Sequence, residues 1–209
     1  MMEELKTGTT TLAMVVNDGV VVGADRRVTA GYMVAHKVGK KIYQVDDKIA
    51  LTTAGLVGDL QMLVRYVKAE AELYKYKKGV NITVEGLTTL LANILNQTKY
   101  MPFLVQIIIA GYDKKPHVFS IDEAGGAVED KYVSTGSGSP FVYGVLEDLY
   151  EDGITVDQGI DIAIRAISTS LQRDAATGNG IDIVTITPSE GYKQLPEDDV
   201  QKRIKKLKI

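Results

Sequence analysis

The chain has 209 residues, of which 45% are hydrophobic and 24% charged, the balance of one globular domain with one sizeable core. Its formal net charge of −3 offers no basic footprint for nucleic acid, and without cysteine it holds no disulfide, thiolate nucleophile or Cys-ligated zinc. The opening MMEELKTG is acidic and has no apolar h-region, so it does not read as a signal peptide. No run approaches the ~20 apolar residues of a membrane helix. The expectation is a cytoplasmic protein without a membrane partner, metal or cofactor.

The elements follow in chain order. Thr9–Val16, rich in Thr and Val, reads as a strand. Asp18-Gly19 is a hairpin signal, because a type I′ turn needs positive φ at both central positions. Val20–Arg26 then returns beside the first strand. A second hairpin spans Lys41–Val45, a turn at Asp46-Asp47, and Lys48–Ala54. Leu56, Leu60, Leu63, Val64, Val67, Ala71 and Tyr74 share one helical face, as do Val84, Leu87, Leu91, Ile94, Leu95 and Thr98, with Thr83 as N-cap. Strands resume at Phe103–Tyr112, His117–Ile121 and Ala127–Val133. Helices return at Pro140–Tyr150 and Val156–Gln172, the latter opened by the capping box Thr155-Val156-Asp157-Gln158. A last strand covers Ile181–Thr187, and the lysine-rich Gln201–Ile209 reads as a solvated, frayed end. Hairpins imply antiparallel sheets, and helix pairs with one apolar face imply layers on those sheets. The pattern predicts a layered α+β sandwich with two sheets in the middle.

Chemistry is carried by short segments that are unremarkable singly. Gly8-Thr9-Thr10-Thr11 at the head of a strand is ordinary β-branched filling unless partners converge on it. Asp25 ends the second strand in Gly23-Ala24-Asp25-Arg26-Arg27. Simple hairpin register puts Thr9 opposite Val28, near Asp25, and Lys41 opposite Thr52, near Gly55. Alternation places Lys41 with Tyr43 and Val45, and Lys40 with Gln44, so Lys41 is the inward lysine. Gly55 ends a strand just before a helix. It is either a plain turn or a backbone N–H aimed at an oxyanion beside the positive helix end. Gly136-Ser137-Gly138-Ser139 precedes another helix but lacks the endings of a P-loop or a dinucleotide-binding turn. Arg173-Asp174-Ala175-Ala176-Thr177-Gly178 closes a helix; C-cap chemistry explains Gly178 but not Asp174. The two histidines, His36 and His117, sit in no triad-like motif.

Taken together and in order, Thr9-Thr10-Thr11, Gly23-Ala24-Asp25-Arg26-Arg27, Lys40-Lys41-Ile42, Thr52-Thr53-Ala54-Gly55-Leu56-Val57-Gly58-Asp59, Gly136-Ser137-Gly138-Ser139 and Arg173-Asp174 resemble the β-type subunits of the 20S proteasome, of the archaeal kind. The resemblance spans the chain after Gly8. It implies the N-terminal-nucleophile hydrolase fold, a four-layer αββα sandwich formed by residues 9–209, with residues 1–8 as a propeptide cut between Gly8 and Thr9. It implies Thr9 as nucleophile, Asp25 and Lys41 as its partners, and Gly55 as oxyanion donor. Ser137, Asp174 and Thr177 would order the N-terminal amine and its water; Thr177 stands where the family usually has serine and keeps the hydroxyl. Val28, Tyr43, Thr53 and Val57 match positions lining the substrate side-chain pocket, where Thr53 is smaller and more polar than the family's frequent large apolar residue. The implied partners are a homo- or heteroheptameric β ring, α-type ring subunits, and unfolded polypeptides delivered by a regulatory ATPase. Two alternatives stand beside this: a non-catalytic ring subunit serving assembly, and an amidohydrolase of the same fold acting on small amides.

The chemistry sets a condition. A threonine hydroxyl is a weak nucleophile until a base takes its proton, and a free α-amine, with a pKa of roughly 7.7–8.0, is a matched base. While Gly8 is attached, the Thr9 nitrogen is an amide and cannot serve. Thr9 is therefore expected to attack the Gly8 carbonyl first, where glycine leaves room for a tight approach.

Overall fold

The structure is a computed structural model and describes residues 8–209; residues 1–7 of the expected propeptide lie outside the described residues. The elements are β1 (Thr11–Val16), β2 (Gly19–Asp25), β3 (Val28–Ala30), β4 (Met33–His36), β5 (Ile42–Asp46), β6 (Ile49–Gly55), α1 (Val57–Lys78), α2 (Val84–Gln97), β7 (Val105–Tyr112), β8 (Pro116–Ile121), β9 (Ala127–Glu129), β10 (Tyr132–Thr135), α3 (Ser139–Leu149), α4 (Val156–Arg173), β11 (Ile181–Thr187), β12 (Gly191–Gln194) and α5 (Glu197–Leu207). One sheet has the order β10-β1-β2-β11-β12 and the other β5-β6-β7-β8-β9, with β3-β4 as a separate hairpin.

Strand alternation builds the layers. In β1, Leu12, Met14 and Val16 pack with Val142, Leu146, Ile164 and Ile167 of α3 and α4, while Ala13 faces the other way. In β7, Ile107 and Ile109 pack with Leu63, Val67, Leu87 and Leu91 of α1 and α2, while Ile108 and Ala110 face the first sheet. Ala13, Ala24, Ala50 and Ala110 line the space between the sheets, and their small side chains let the two pack closely. The result is the expected αββα order. Local chemistry fixes two helix starts. Thr155 Oγ1 accepts from Gln158 N at 3.2 Å while Gln158 Oε1 accepts from Thr155 N at 2.9 Å, the reciprocal capping box. Thr83 Oγ1 caps α2 by accepting from Gly86 N at 3.0 Å.

Four expectations change. The first hairpin pairs Val16 with Gly19 and Thr11 with Ala24, so its turn residues are Asn17-Asp18. This moves the partner of Thr9 two positions, from Val28 towards Arg26; an even shift leaves the faces unchanged. The second hairpin turns at Asp47-Lys48, which shifts its register by two, and a bulge between Gln44 and Asp46 takes one position back, leaving Ile42, not Lys41, opposite Thr52; Thr53 N donates to the Lys41 carbonyl at 3.0 Å. The expected strand Ala127–Val133 is two strands: β9 pairs with β8 in one sheet and β10 with β1 in the other. The chain crosses between sheets at Asp130-Lys131. Finally, the basic tail is not frayed. It forms α5, whose Val200 is buried and whose Ile204 and Leu207 pack on the α4 core. Arg203 NH1 donates to Asp161 Oδ1 at 2.6 Å and also pairs with Asp157.

Candidate active site

Both sheets converge beneath Thr9. Thr11 Oγ1 lies 2.6 Å from Thr135 Oγ1 in its own sheet and 3.1 Å from Thr52 Oγ1 in the other. This buried hydroxyl tie joins the start of β1 to the end of β10 and the middle of β6. Gln106 of β7 reaches across to accept from Gly136 N at 3.2 Å, and Gly138 N donates to the Thr9 carbonyl at 3.4 Å. The start of β1 is thus gripped by the Gly136–Ser139 loop, and Thr9 is 6% exposed.

Asp25 and Lys41 meet as a buried ion pair. Lys41 Nζ lies 2.6 Å from Asp25 Oδ1, with Lys41 4% and Asp25 0% exposed, whereas Lys40 is exposed. The carboxylate is fully satisfied. Oδ1 also accepts from Thr10 N at 2.9 Å, and Oδ2 accepts from Arg27 N at 3.0 Å and Gly178 N at 2.9 Å. Four donors on one carboxylate fix its position and keep a counter-charge beside Lys41. Burial pushes the Lys41 ammonium below the ordinary lysine range. Asp25 and, more weakly, Asp174 oppose that shift, and Arg27 adds to it.

A second circuit holds the Thr9 nitrogen. Ser137 Oγ donates to Asp174 Oδ2 at 2.6 Å, and Thr9 N donates to Ser137 Oγ at 3.2 Å. Thr177 Oγ1 donates to the same Asp174 Oδ2 at 2.5 Å and lies 2.6 Å from Thr10 Oγ1. A carboxylate only accepts and a hydroxyl has one proton. Ser137 and Thr177 therefore spend their protons on Asp174, so Thr10 donates to Thr177 and Ser137 accepts from Thr9. This polarity has a consequence for a free Thr9 amine. Ser137 cannot donate to it, so the nitrogen lone pair stays available to take a proton from the Thr9 hydroxyl.

The Gly8–Thr9 bond lies in this cluster. Thr9 Oγ1 donates to the Gly8 carbonyl oxygen at 2.7 Å, which puts the hydroxyl against the group it would attack. A Cβ added at Gly8 would collide with Ala176 Cβ and stand 3.2 Å from Ser137 Oγ, so only glycine fits. Gly55 closes β6 with φ of 130°, and a Cβ there would collide with the Leu104 carbonyl. It stands two residues before α1, beside the positive end of a 22-residue helix. Thr53 is buried, with Oγ1 donating to the Lys41 carbonyl at 3.4 Å. Tyr43 is half-buried, with its hydroxyl donating to the Lys40 carbonyl at 2.9 Å. Val57 is exposed at the first turn of α1, and Val28 starts β3. Thus direct bonds join Thr9, Ser137, Asp174 and Thr177 in one group and Asp25 with Lys41 in another, and Thr10 bridges the two through its N–H to Asp25 and its hydroxyl to Thr177. Gly55, Val28, Tyr43, Thr53 and Val57 stand at the ends of neighbouring elements.

Further residues that the sequence did not single out hold the segments around this cluster. Arg27 Nε donates to Asn179 Oδ1 at 2.9 Å and NH1 to the Ala175 carbonyl at 2.7 Å, clamping the loop that carries Thr177. Asn179, at φ 67°, supplies the left-handed turn that asparagine tolerates best after glycine. Gly8 N donates to Thr29 Oγ1 at 2.8 Å. A separate concavity of about 500 Å³ between α4, α5 and the β11–β12 hairpin shares no residue with the Thr9 cluster.

The proteasome subunit family model matches residues 5–186. The chain belongs to the proteasome subunit family. Its relatives are β-type subunits. The proteasome subunit beta of Thermoplasma acidophilum is 55% identical over 207 residues, covering 99% of this chain and 98% of its own length. That of Picrophilus torridus is 51% identical over 208 residues, covering 100% and 99%. That of Methanothermobacter thermautotrophicus is 46% identical over 201 residues, covering 96% of each. The αββα sandwich is accordingly the N-terminal-nucleophile hydrolase fold, and the chain is a β-type subunit of the archaeal kind. No helix among the described residues is long and apolar enough to cross a membrane, and no group of His, Asp or Glu among them could hold a metal ion.

Proposed function

We propose that this chain is the catalytic β subunit of a proteasome core, a threonine endopeptidase that unmasks its own nucleophile by cutting between Gly8 and Thr9. The observation that carries the reading is the Thr9 cluster. The hydroxyl lies 2.7 Å from the Gly8 carbonyl oxygen, the Lys41–Asp25 pair is buried nearby, and the nitrogen is held by the Ser137–Asp174 circuit. A ring subunit serving assembly alone has no use for a buried ion pair of this kind, whose burial is costly unless fully satisfied.

In the first reaction Thr9 Oγ1 bonds to the Gly8 carbonyl carbon, and the bond from that carbon to the Thr9 nitrogen breaks. The hydroxyl proton ends on the nitrogen, which becomes the free amine. Water then hydrolyses the ester, releasing residues 1–8 with a Gly8 carboxylate and restoring the Thr9 hydroxyl. In the second reaction the amine takes the Thr9 hydroxyl proton as the oxygen adds to a substrate carbonyl. Lys41 stabilises the developing alkoxide by its charge, held in place by Asp25. The Gly55 N–H and the start of α1 face the oxyanion. The amine passes its proton to the leaving peptide nitrogen, and water releases the acyl group. Val28, Tyr43, Thr53 and Val57 line the pocket for the residue whose carbonyl is attacked. A small polar Thr53 there argues against a preference for large aromatic side chains.

The family places such a subunit in a core with α-type subunits. We assign it to a heptameric β ring, of this chain alone or with other β-type chains, enclosing a chamber in the cytoplasm that receives unfolded polypeptides from a regulatory ATPase. The test is Thr9→Ala in the assembled particle. The variant should keep residues 1–8 and cleave no fluorogenic peptide; peptide cleavage at the wild-type rate would end this reading.

A further inference from the structure

Gly8 is held at three points. Its N–H donates to Thr29 Oγ1 at 2.8 Å, and its carbonyl oxygen accepts from Thr9 Oγ1 at 2.7 Å. Its Cα is hemmed by Ala176 and Ser137. Thr9 and Ser137 already serve hydrolysis. The Thr29 hydroxyl stands apart from them: the residue lies in the short strand β3 beyond the Asp25 corner and is 5% exposed, and its hydroxyl takes no part in either circuit around Thr9.

The crowding at Gly8 says which reaction Thr29 serves. A substrate residue attacked by Thr9 carries a side chain in almost every case. A Cβ in the place of Gly8 would collide with Ala176, so such a residue cannot lie as Gly8 lies. Its N–H therefore cannot inherit the Gly8–Thr29 bond with the backbone placed in this way. We propose that the Thr29 hydroxyl is a binding contact dedicated to self-cleavage: it fixes the amide before the scissile bond so that the Gly8 carbonyl stays against Thr9 Oγ1, and hydrolysis of other chains does not need it. This rests on the self-cleavage between Gly8 and Thr9 proposed above, and adds no new bond-making step to it.

The experiment compares wild type, Thr29→Val and Thr29→Ser in assembling particles. Intact mass follows loss of residues 1–8 with time, and kcat and KM for a fluorogenic peptide are measured per free Thr9 terminus. Valine keeps the shape but leaves the buried Gly8 N–H without an acceptor, which should slow leader removal on the order of ten- to hundredfold. Serine should restore the rate, and kcat and KM per free terminus should match wild type in all three. The inference is overturned if Thr29→Val sheds the leader at the wild-type rate, if serine does not rescue it, or if peptide turnover per terminus falls in parallel. Should Thr29→Val fail to assemble, the same change goes into a chain whose Thr9 is exposed by a separate protease. Normal assembly and turnover there support the inference, and failure there overturns it. A wild-type chain that never loses residues 1–8 would instead refute self-cleavage itself.

Discussion

Replacing Asp25 by Asn separates the charge of Lys41 from the mere presence of its amine. The carboxylate takes two donors on each oxygen: Lys41 Nζ and Thr10 N on Oδ1, Arg27 N and Gly178 N on Oδ2. An amide of the same shape keeps one oxygen and turns an NH2 towards two donors in either orientation. Each buried donor left without an acceptor costs about 1–3 kcal/mol. With Lys41 stripped of its counter-charge, the whole change falls near the ~3–5 kcal/mol of breaking a buried ion pair. Burial already lowers the pKa of Lys41, and Asp25 is the main influence raising it. Without Asp25 the ammonium loses its proton at still lower pH, and its field on Thr9 Oγ1 goes with it. The alkaline limb of kcat/KM, which reports the free enzyme, should move to lower pH. The plateau should fall on the order of 10²–10³-fold, as for loss of a preorganised electrostatic group. The assay is a pH series of fluorogenic peptide hydrolysis, normalised to free Thr9 termini. An alkaline limb in the wild-type position would refute the assignment of that limb to Lys41.

Other substitutions probe the remaining parts. Gly8→Ala should stop leader removal, because the added methyl collides with Ala176; adding Ala176→Gly should restore part of the rate, as read by intact mass. Thr177→Val removes the hydroxyl shared by Asp174 and Thr10 and should lower kcat about tenfold with KM little changed, a loss of roughly 1–2 kcal/mol, while Thr177→Ser should match wild type. Val200→Ala in α5 removes two buried carbons and should lower stability to denaturant by about 1.5 kcal/mol, at ~0.8 kcal/mol for each carbon, without altering the pH profile of peptide cleavage. The sign for Lys41 is also fixed. Its folded pKa lies below the ordinary 10.5, so its burial penalty is full below the folded value and fades as pH rises towards 10.5. Stability of wild type relative to Lys41→Met should therefore rise across that window in urea titrations.

Much of the fold was legible because each layer has its own period. The β1 pattern of Leu12, Met14 and Val16 against Ala13, and the helical stripe of α1, point to their faces without any tertiary information. What was missed has physical causes. The first turn is centred on Asn17-Asp18, and a turn signal one residue away displaced the register by two. Asp130-Lys131 interrupts an otherwise strand-like run, and a local pattern cannot say that the chain changes sheets there. In α5 the lysines hid a stripe: Val200, Ile204 and Leu207 recur at helical spacing. The hairpin β3–β4 is largely exposed, with Tyr32 and Met33 open to solvent, so it lacks the one-sided burial that makes a strand readable.

The site was legible unevenly for a related reason. Asp25, Lys41, Ser137 and Asp174 carry chemistry that stands out once they are known to converge, and their segments end regular elements. Arg27 follows Asp25 in an irregular stretch and Thr29 sits in the three-residue strand β3, and their partners Gly8, Ala175 and Asn179 are distant in sequence or carry no signature of their own. Only the fold brings them together. The polarity of the Ser137–Asp174–Thr177 circuit likewise needs geometry, since it follows from both hydroxyls lying within reach of the one oxygen Asp174 Oδ2.

If Thr9 works first on its own chain and then on others, every active chain carries a free Thr9 amine. Intact mass together with N-terminal sequencing of assembled, peptide-cleaving particles tests it most directly. The expected chain begins at Thr9, with residues 1–8 gone and activity rising in step with the free terminus. Fully active particles whose chains retain Gly8 on Thr9 would contradict it.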